Sequence, residues 1–319
     1  MIYLFVYRVG NLGRKYIILG IMLVLCGGHA LAQQDKLFTQ YLNYPSALNP
    51  AYAGSRNSMQ LLGVARKQWV GIQGAPESAV FSVNSPISFY NLGVGLNLES
   101  DRLGLERNQQ FSFDLSYRLK LWPGTFLNMG LKSGFSHYKV NLTTAGVVEQ
   151  GDPWLQEDIR GKWIPQFGVG AYLYTEKFFL GLSLPQILDS DIKQGKILNS
   201  TMDRSKMHFY LMGGYVIDFN PRVRIKPSFL IRMTQGARVS YDITSMVILY
   251  DRLWMGASYR NKDAVAAIVQ YNVNNQLRVG YAYDFGTSAL SGRSNGSHEI
   301  SLSYDLELSA KKLKSPRYF

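Results

Sequence analysis

The chain contains 319 residues, of which 46% are hydrophobic, 13% aromatic and only 18% charged, and its formal net charge is +12. So many aromatic residues argue against an intrinsically disordered chain, and a mean hydropathy of −0.08 argues against a bundle of transmembrane helices. Lysines and arginines form no cluster of five or more, so we expect no nucleic-acid partner.

The first 32 residues have the layout of a secretory signal peptide. Arg8, Arg14 and Lys15 precede a short apolar core, Tyr16–Cys26, and a small-residue cleavage site follows at Ala30–Ala32. Removing this peptide takes away three basic residues and no acidic ones, which lowers the net charge from +12 to +9. We therefore expect an exported protein.

A lipoprotein signal that uses Cys26 is the alternative interpretation. Leu25 would then occupy the position before the cysteine, where a small residue is expected, so we favour a mature chain that begins at Gln33. Cys26 is the only cysteine in the sequence. The mature chain would therefore contain no disulfide and no thiolate ligand.

Residues 33–56 stand apart from the sequence that follows. Pro45, Pro50 and the Asn49-Pro50 step exclude a regular strand. We treat this stretch as a separate N-terminal segment ahead of the first strand.

From about residue 59 the hydrophobic pattern has a period of two. On one stretch, Phe111, Phe113, Leu115 and Tyr117 alternate with Ser112, Asp114, Ser116 and Arg118. Successive side chains of a strand point to opposite faces, so one face of this strand is apolar and the other is polar. The same alternation recurs at residues 277–285 and 300–308.

These strands are typical of an all-β outer-membrane barrel with its apolar face toward lipid. They are about ten residues long, as a tilted strand needs to cross a bilayer, and aromatic residues stand near their ends. The fourteen candidate strands cover residues 59–69, 77–86, 92–100, 109–121, 125–139, 164–175, 177–186, 206–218, 222–233, 237–249, 252–260, 264–273, 276–285 and 298–308. We assign residues 57–310 to this transmembrane barrel and residues 311–319 to a short basic tail.

The connections alternate between short and long. The even-numbered connections are tight turns, whereas Val140–Trp163, Ile187–Ser205 and Gly286–Ser297 are long. Outer-membrane barrels have short periplasmic turns and longer outer loops, so we expect both chain termini in the periplasm.

The polar face carries charges at Asp114, Arg118, Arg232, Asp242, Arg278, Asp284 and Asp305. We interpret them as a cross-strand network in the lumen; a lumen that binds or conducts polar ligands is the alternative. A barrel of this width needs something inside it, and residues 33–56 are the predicted plug.

We find no basis for catalysis, a metal or a cofactor. His137, His208 and His298 are isolated, and His298 and Ser301 would point to opposite faces of one strand, so they cannot act as a base and nucleophile pair. Gly93-Val94-Gly95 and Gly168-Val169-Gly170 lie within strands with no helix after them, which indicates close packing at the barrel wall.

Several motifs resemble those of the PorP/SprF family, outer-membrane proteins of the Bacteroidota type IX secretion and gliding systems. They are the stretch QYLNYPSALNPAYAG at 40–54, Gln68-Trp69, GIQGAP at 71–76, residues 104–121, residues 227–241 and the SPRYF tail at 315–319. The most specific part is the sequence Asn49, Pro50, Ala51, Tyr52, Ala53 and Gly54 at the head of the barrel.

The resemblance implies a barrel without enzymatic activity that takes part in type IX secretion. It implies that the protein helps secrete or retain large adhesin-like clients at the cell surface, and it implies further partners among the secretion components and a periplasmic peptidoglycan-binding protein. Asn49–Gly54 is then the candidate plug or partner motif. Trp154 and Trp163, in the longest loop, are candidate client contacts because aromatic residues are common at protein interfaces.

A FadL-like channel for hydrophobic small molecules is the alternative function, because Asn49–Gly54 also resembles the N-terminal hatch of that family. Such a channel needs an apolar pocket inside the barrel. The sequence shows charges on the inner face and no apolar inner stripe, so we rank this function second.

Overall fold

The computed structural model describes residues 38–56, 58–141, 159–193, 196–201, 207–234, 238–287 and 291–306. The predicted signal peptide, Trp154 and the basic tail at 311–319 lie outside these residues. Among the described residues, no helix is both long and apolar enough to cross a membrane.

In the described part of the chain, three short helical turns cover Tyr41–Asn43, Pro45–Leu48 and Pro50–Tyr52, and seventeen strands follow them. The strands are β1 (Met59–Lys67), β2 (Glu77–Ile87), β3 (Leu92–Leu103), β4 (Glu106–Trp122), β5 (Thr125–Val140), β6 (Ile159–Tyr174), β7 (Phe178–Leu184), β8 (Asp189–Lys193), β9 (Lys196–Thr201), β10 (His208–Tyr215), β11 (Ile217–Asn220), β12 (Val223–Thr234), β13 (Ser240–Leu249), β14 (Leu253–Arg260), β15 (Ala264–Asn272), β16 (Leu277–Gly286) and β17 (Ser297–Leu306).

The main sheet closes on itself as an antiparallel barrel of fourteen strands. β1 pairs with β17, and β10 pairs with both β7 and β12, so the ring has no free edge. β10 and β11 form one interrupted strand, because both pair with β12 on either side of the buried Val216. The predicted fold class and strand number are confirmed, and closure satisfies the backbone groups that lipid cannot.

The outer surface of the barrel is apolar, as the alternation predicted. On β4 the outward side chains of Phe111, Phe113 and Leu115 are 46%, 45% and 40% exposed, whereas the inward Ser112 and Asp114 are fully buried. A large apolar outer face with a polar inner face is the reverse of a soluble β-protein and suits a barrel in lipid.

Two features of the connections differ from the prediction. β6 begins at Ile159, five residues before the predicted start, so the fifth connection is shorter than expected. The connection between β7 and β10 contains a separate hairpin, in which β8 pairs with β9. A short polar hairpin carries little hydrophobic alternation, so the sequence pattern does not predict this one.

The barrel has two different ends. We call one the short-turn end, where connections such as Pro123–Gly124 and Tyr250–Arg252 join the strands. The other is the long-connection end, where longer connections join β1 to β2, β5 to β6, β7 to β10 and β16 to β17.

The N-terminal segment runs through the barrel from one end to the other. Its contacts with β17 show the direction. Thr39 contacts Glu299, near the long-connection end, and Arg56 contacts Asp305, near the short-turn end. The last strand ends at the short-turn end, as expected for a periplasmic C-terminus. The first described residues lie toward the opposite end; the two termini, which we predict to share the periplasmic side, lie outside the described residues.

Candidate functional site: the N-terminal segment and the inner wall

Asn49 holds the predicted motif against two wall strands. Its Oδ1 accepts a 2.9 Å hydrogen bond from the backbone N–H of Ala51, which caps the helical turn Pro50–Tyr52. Its Nδ2 donates to the backbone carbonyls of Ala171 on β6 and Leu182 on β7, at 2.9 and 3.3 Å. Asn49 is fully buried, so each of these bonds also satisfies a group that water cannot reach.

The wall beneath the motif is lined by glycines, which let the two backbones approach. A Cβ atom at Gly130 would overlap the backbone of Pro50 and Ala51, and one at Gly93 would overlap the Ala53 carbonyl. Gly170 and Gly181 leave room for the Asn49 side chain in the same way. The sequence interpretation of the in-strand glycines as sites of close packing therefore agrees with the structure at these positions.

Filling this space should displace the segment. We expect Gly130→Leu to destabilise the folded barrel by about 1–3 kcal/mol, because the new side chain cannot fit between β5 and Ala51. Urea unfolding in lipid vesicles measures the change. Gly63→Leu is the matched control, since a Cβ at Gly63 meets no atom within 4 Å; equal destabilisation by both changes would contradict the seating of the motif.

The end of the motif is held by β4. The Ser116 hydroxyl donates a 2.6 Å hydrogen bond to the carbonyl of Ala53, and the Arg118 guanidinium donates to the carbonyl of Gly54. From the sequence alone we would expect inward positions such as Ser116 to accept an arginine. The structure argues against this expectation at Ser116, because the Ala53 carbonyl occupies the space that an arginine side chain would need.

Polar groups also surround the middle of the segment. The Tyr44 hydroxyl donates to Glu99 at 3.1 Å, and Ser46 contacts Ser82 and Asn97 at 3.2 Å each. Burial raises the pKa of the Tyr44 phenol well above its usual value, so this side chain remains a neutral donor. The segment therefore contacts β2 and β3 as well as β4 to β7.

The start of the segment is fastened by a buried ionic cluster, which we call the clasp: Thr39, Arg66, Asp284 and Glu299. Both Glu299 oxygens accept backbone N–H groups, from Thr39 and Gln40, at 2.8 Å. The Thr39 hydroxyl donates to Asp284 at 2.7 Å. Arg66 joins the two carboxylates, at 2.7 Å to Asp284 and 3.0 Å to Glu299.

The clasp continues into a wider charge network on the inner wall. Arg260 lies 3.6 Å from Asp284 and 3.3 Å from Asp242, which also pairs with Arg232 at 2.8 Å. Deeper in the barrel, Lys132 lies 3.6 Å from Asp114. The sequence analysis identified four of these eight charges, Asp114, Arg232, Asp242 and Asp284. It missed Arg66, Lys132, Arg260 and Glu299, although their positions in the alternation place them on the polar face.

One part of the inner wall is aromatic and apolar, which the sequence analysis did not expect. Tyr172, Tyr174, Phe179, Tyr210, Met212 and Leu230 point inward from β6, β7, β10 and β12 and are buried. Tyr41, Ala51 and Tyr52 of the segment pack against them, with Tyr52 edge-on to Tyr172 at 5.6 Å between ring centroids. The expectation of an inner face without an apolar stripe is therefore wrong in this sector.

Trp163 does not lie in a loop. It is on β6, where it is 65% exposed on the outer face and packs against the His137 ring at 4.8 Å between centroids. Trp154, the other candidate client contact, lies outside the described residues. The remaining histidines are far apart on the wall: His208 contacts Thr234, and His298 contacts Tyr281.

Comparisons with known proteins place these features in context. A family model described as "Type IX secretion system membrane protein PorP/SprF" matches residues 30–304. No curated protein matches the chain significantly.

Three solved structures illustrate the structural likeness. The NanC porin is 11% identical, with a TM-score of 0.41 over 78% of this chain and 100% of that chain. The KdgM porin is 8% identical, with a TM-score of 0.37 over 77% and 98%. A Pseudomonas aeruginosa FadL homologue is 13% identical, with a TM-score of 0.42 over 82% and 93%. At these identities and scores the likenesses carry no argument about function.

Proposed function

The chain belongs to the PorP/SprF family of type IX secretion system membrane proteins, and on that premise we propose that it retains specific large secreted proteins at the cell surface. Family membership and the closed barrel place it in the outer membrane, among the components of type IX secretion. The finer role, docking of an adhesin-like client, is our proposal. We also propose that the protein has no enzymatic activity.

The observation that carries this proposal is the N-terminal segment inside the lumen. Buried hydrogen bonds join it to strands around the ring, among them β3, β6, β13 and β17. We propose that the segment acts as a plug and stiffens the wall, since buried hydrogen bonds to several strands restrain the strands that they join. A stiff barrel with an occupied lumen favours a docking scaffold over a conduit.

The long connections supply the docking face in this proposal, because binding residues usually lie on loops that a rigid scaffold positions. Two of them are tied together: the Val70 N–H donates to the Gly296 carbonyl at 2.9 Å, and the Asn295 N–H donates to the Val70 carbonyl at 2.7 Å. Trp154, between β5 and β6, remains the proposed aromatic contact of this face, whereas Trp163 stands on the outer face of β6 near its start, where barrels place interfacial aromatic residues.

Loop truncation tests the docking face. We expect deletion of the gene to abolish surface display of one or a few large clients while general type IX secretion persists in full or in part. Shortening residues 141–158 or 187–205 separately should reduce display, with barrel assembly checked by heat-modifiable mobility. If display survives both truncations, the outer loops are not the docking site, and Asn49–Gly54 becomes the first candidate.

The orientation of the barrel is open to a direct test. We expect a tag inserted between Glu149 and Asp158 to bind antibody on intact cells, whereas a tag in the turn Trp122–Gly124 should bind only after the outer membrane is permeabilised. The reason is that long connections face outward in outer-membrane barrels. The reverse labelling pattern would invert the orientation.

A periplasmic partner belongs to the same proposal. With the short turns in the periplasm, a peptidoglycan-binding protein would meet the end of the barrel that carries Phe89 and Tyr90, which are 88% and 63% exposed in the turn between β2 and β3. Crosslinking from photoreactive residues at these two positions would identify the protein that covers them.

The alternative, a FadL-like channel for hydrophobic molecules, is favoured by one observation only. The inward aromatic sector of β6, β7, β10 and β12 offers apolar surface inside the barrel. Tyr41 and Tyr52 of the segment already pack against that surface, which favours a structural role for it. Uptake assays with hydrophobic solutes separate the two functions, since the docking proposal predicts no loss of uptake on deletion.

A further inference from the structure

A row of charged side chains crosses the outer face of the barrel near the long-connection end. The strand register places one outward residue of each strand from β1 to β5 directly opposite the next: Lys67, Glu77, Arg102, Arg107 and Lys139. We call these five exposed residues the basic row. Glu77 pairs with Lys67 at 2.9 Å, so the four cations and one carboxylate of the row leave an excess of three positive charges. Like charges directly opposite on neighbouring strands repel, and Arg102, Arg107 and Lys139 stand in that relation.

The basic row lies at the level of lipid headgroups. On β4 the outward apolar side chains extend from Phe111 to Leu121, ten residue steps that cover about 25 Å of bilayer depth when strands are tilted by about 40°. That is the height of the apolar band of an outer-membrane barrel. Arg107 stands four steps beyond Phe111, which places it about 10 Å outside the band, where headgroups replace hydrocarbon.

From this placement we propose that the basic row binds the phosphate headgroup of an anionic membrane lipid. Guanidinium groups match phosphate oxygens through pairs of parallel hydrogen bonds, and basic clusters at the headgroup level of membrane proteins recognise anionic lipids. The bound phosphate also offsets the repulsion between Arg102, Arg107 and Lys139. The lipid belongs to the leaflet at the long-connection end, whichever way the barrel is inserted.

A depression in the outer surface beneath the basic row can seat the headgroup. It has a volume of about 560 Å³, and Arg102 and Arg107 are among the residues that line it. The next outward residues toward the membrane are short, namely Ala65, Ala79 and Ser100, which is why the surface recedes there. The size of the depression is that of a small-molecule site.

A second depression continues from the first into the apolar band. It has a volume of about 440 Å³ and shares Ala79 and Ser100 with the first. Its apolar lining residues are exposed on the outer face: Phe81, Leu98, Phe111 and Trp163. An acyl chain attached to the bound headgroup would lie on these side chains, whereas a free phosphate ion would leave them uncovered. The two adjoining depressions therefore favour a lipid.

The basic row is not a general feature of this end of the barrel. On β13 to β16 the outward residues nearest the long-connection end carry no charge: Tyr241, Tyr259, Val265 and Phe285. They form an aromatic and apolar border of the kind that barrels place at the membrane interface. Asp101 also lines the first depression, but it alternates with Ser100 and Arg102, so its side chain points to the lumen.

Native mass spectrometry of the full mature protein in detergent tests the proposal by titration with phosphatidic acid, whose headgroup is a bare phosphate. Phosphatidylcholine with the same acyl chains, which has no net charge, is the control lipid. We expect phosphatidic acid to bind at least about tenfold more tightly than phosphatidylcholine, and its binding to weaken as salt rises. Equal binding of the two lipids would overturn the proposal. Displacement of phosphatidic acid by inorganic phosphate at equal concentration would also overturn it, since the site would then belong to a free anion.

Paired variants locate the site. Arg102→Gln with Arg107→Gln should weaken the binding of phosphatidic acid by about tenfold or more, whereas Arg102→Lys with Arg107→Lys should weaken it less, because the charge is kept. The control pair, Arg222→Gln with Arg252→Gln, removes the same charge from exposed turns at the short-turn end and should leave binding unchanged. Equal losses in the two glutamine pairs, or no loss in the first, would overturn the proposal. Heat-modifiable mobility confirms that each variant is folded.

Discussion

Replacing Glu299 with alanine will release the start of the N-terminal segment from the wall. The change removes the acceptor for two backbone N–H groups and leaves Arg66 with one of its two buried carboxylate partners. Breaking a buried, hydrogen-bonded ion pair costs about 3–5 kcal/mol, so we expect the folded barrel to lose stability on this scale. Urea unfolding in lipid vesicles measures the loss, and limited proteolysis shows whether the segment has become accessible.

An exposed ion pair on neighbouring strands provides the control. Lys67 and Glu77 lie 2.9 Å apart, as close as the groups of the clasp, but their side chains are 58% and 46% exposed. Glu77→Ala should therefore have no measurable effect, because water and salt screen the pair. A small effect of Glu299→Ala, matching that of Glu77→Ala, would show that the clasp does not hold the segment.

Placing an arginine on the outer face will impair membrane assembly. Leu115 lies near the middle of β4 and is 40% exposed toward the outside, so Leu115→Arg would place a charge in the hydrocarbon, as would Phe113→Arg. The expected cost is about 2–4 kcal/mol at the midplane of the bilayer. Heat-modifiable mobility of protein recovered from outer membranes reports the loss of assembled barrel.

An arginine at an outward position near the strand end distinguishes the effect of depth in the bilayer from the effect of the substitution itself. Leu121 is also exposed on the outer face but stands one residue before the end of β4. Leu121→Arg should cost only about 0–1 kcal/mol, because arginine reaches the headgroups from there. If Leu121→Arg were as harmful as Leu115→Arg, the outer face of β4 would not be a lipid face.

The wall of the barrel could be predicted from the sequence because its signal is local. Alternation along β4 alone assigns Phe113 to lipid and Asp114 to the lumen, and the connection lengths support the strand count. The inward aromatic sector could not be predicted in this way. Tyr172 and Tyr174 stand near a strand end, where aromatic residues are also expected at the membrane interface. The sequence alone predicts a loop at Trp163 because the start of β6 is polar.

The interior could not be predicted because its contacts are distant in sequence. Thr39 and Glu299 are separated by 260 residues, and nothing in the stretch around Thr39 indicates which wall charges it meets. Similarly, Gly130 gives no sign that it faces Ala51, although glycines within strands suggested close packing somewhere. Only the closed ring brings β1, β16 and β17 together around the start of the segment.

An engineered disulfide tests most directly whether the N-terminal segment is seated inside the barrel. The hydroxyl oxygens of Ser46 on the segment and Ser82 on β2 lie 3.2 Å apart, and no cysteine follows Cys26 in the sequence. The test protein carries Ser46→Cys, Ser82→Cys and a protease site inserted at Asn57. After cleavage at that site, the N-terminal segment stays attached to the barrel only if the two cysteines form a disulfide. Ser46→Cys with Ser258→Cys, on β14, is the control pair. If the segment is seated in the barrel, it stays attached after cleavage in the first pair until the disulfide is reduced, and it is released in the control pair. Release of the segment to the same extent in both pairs would contradict this placement.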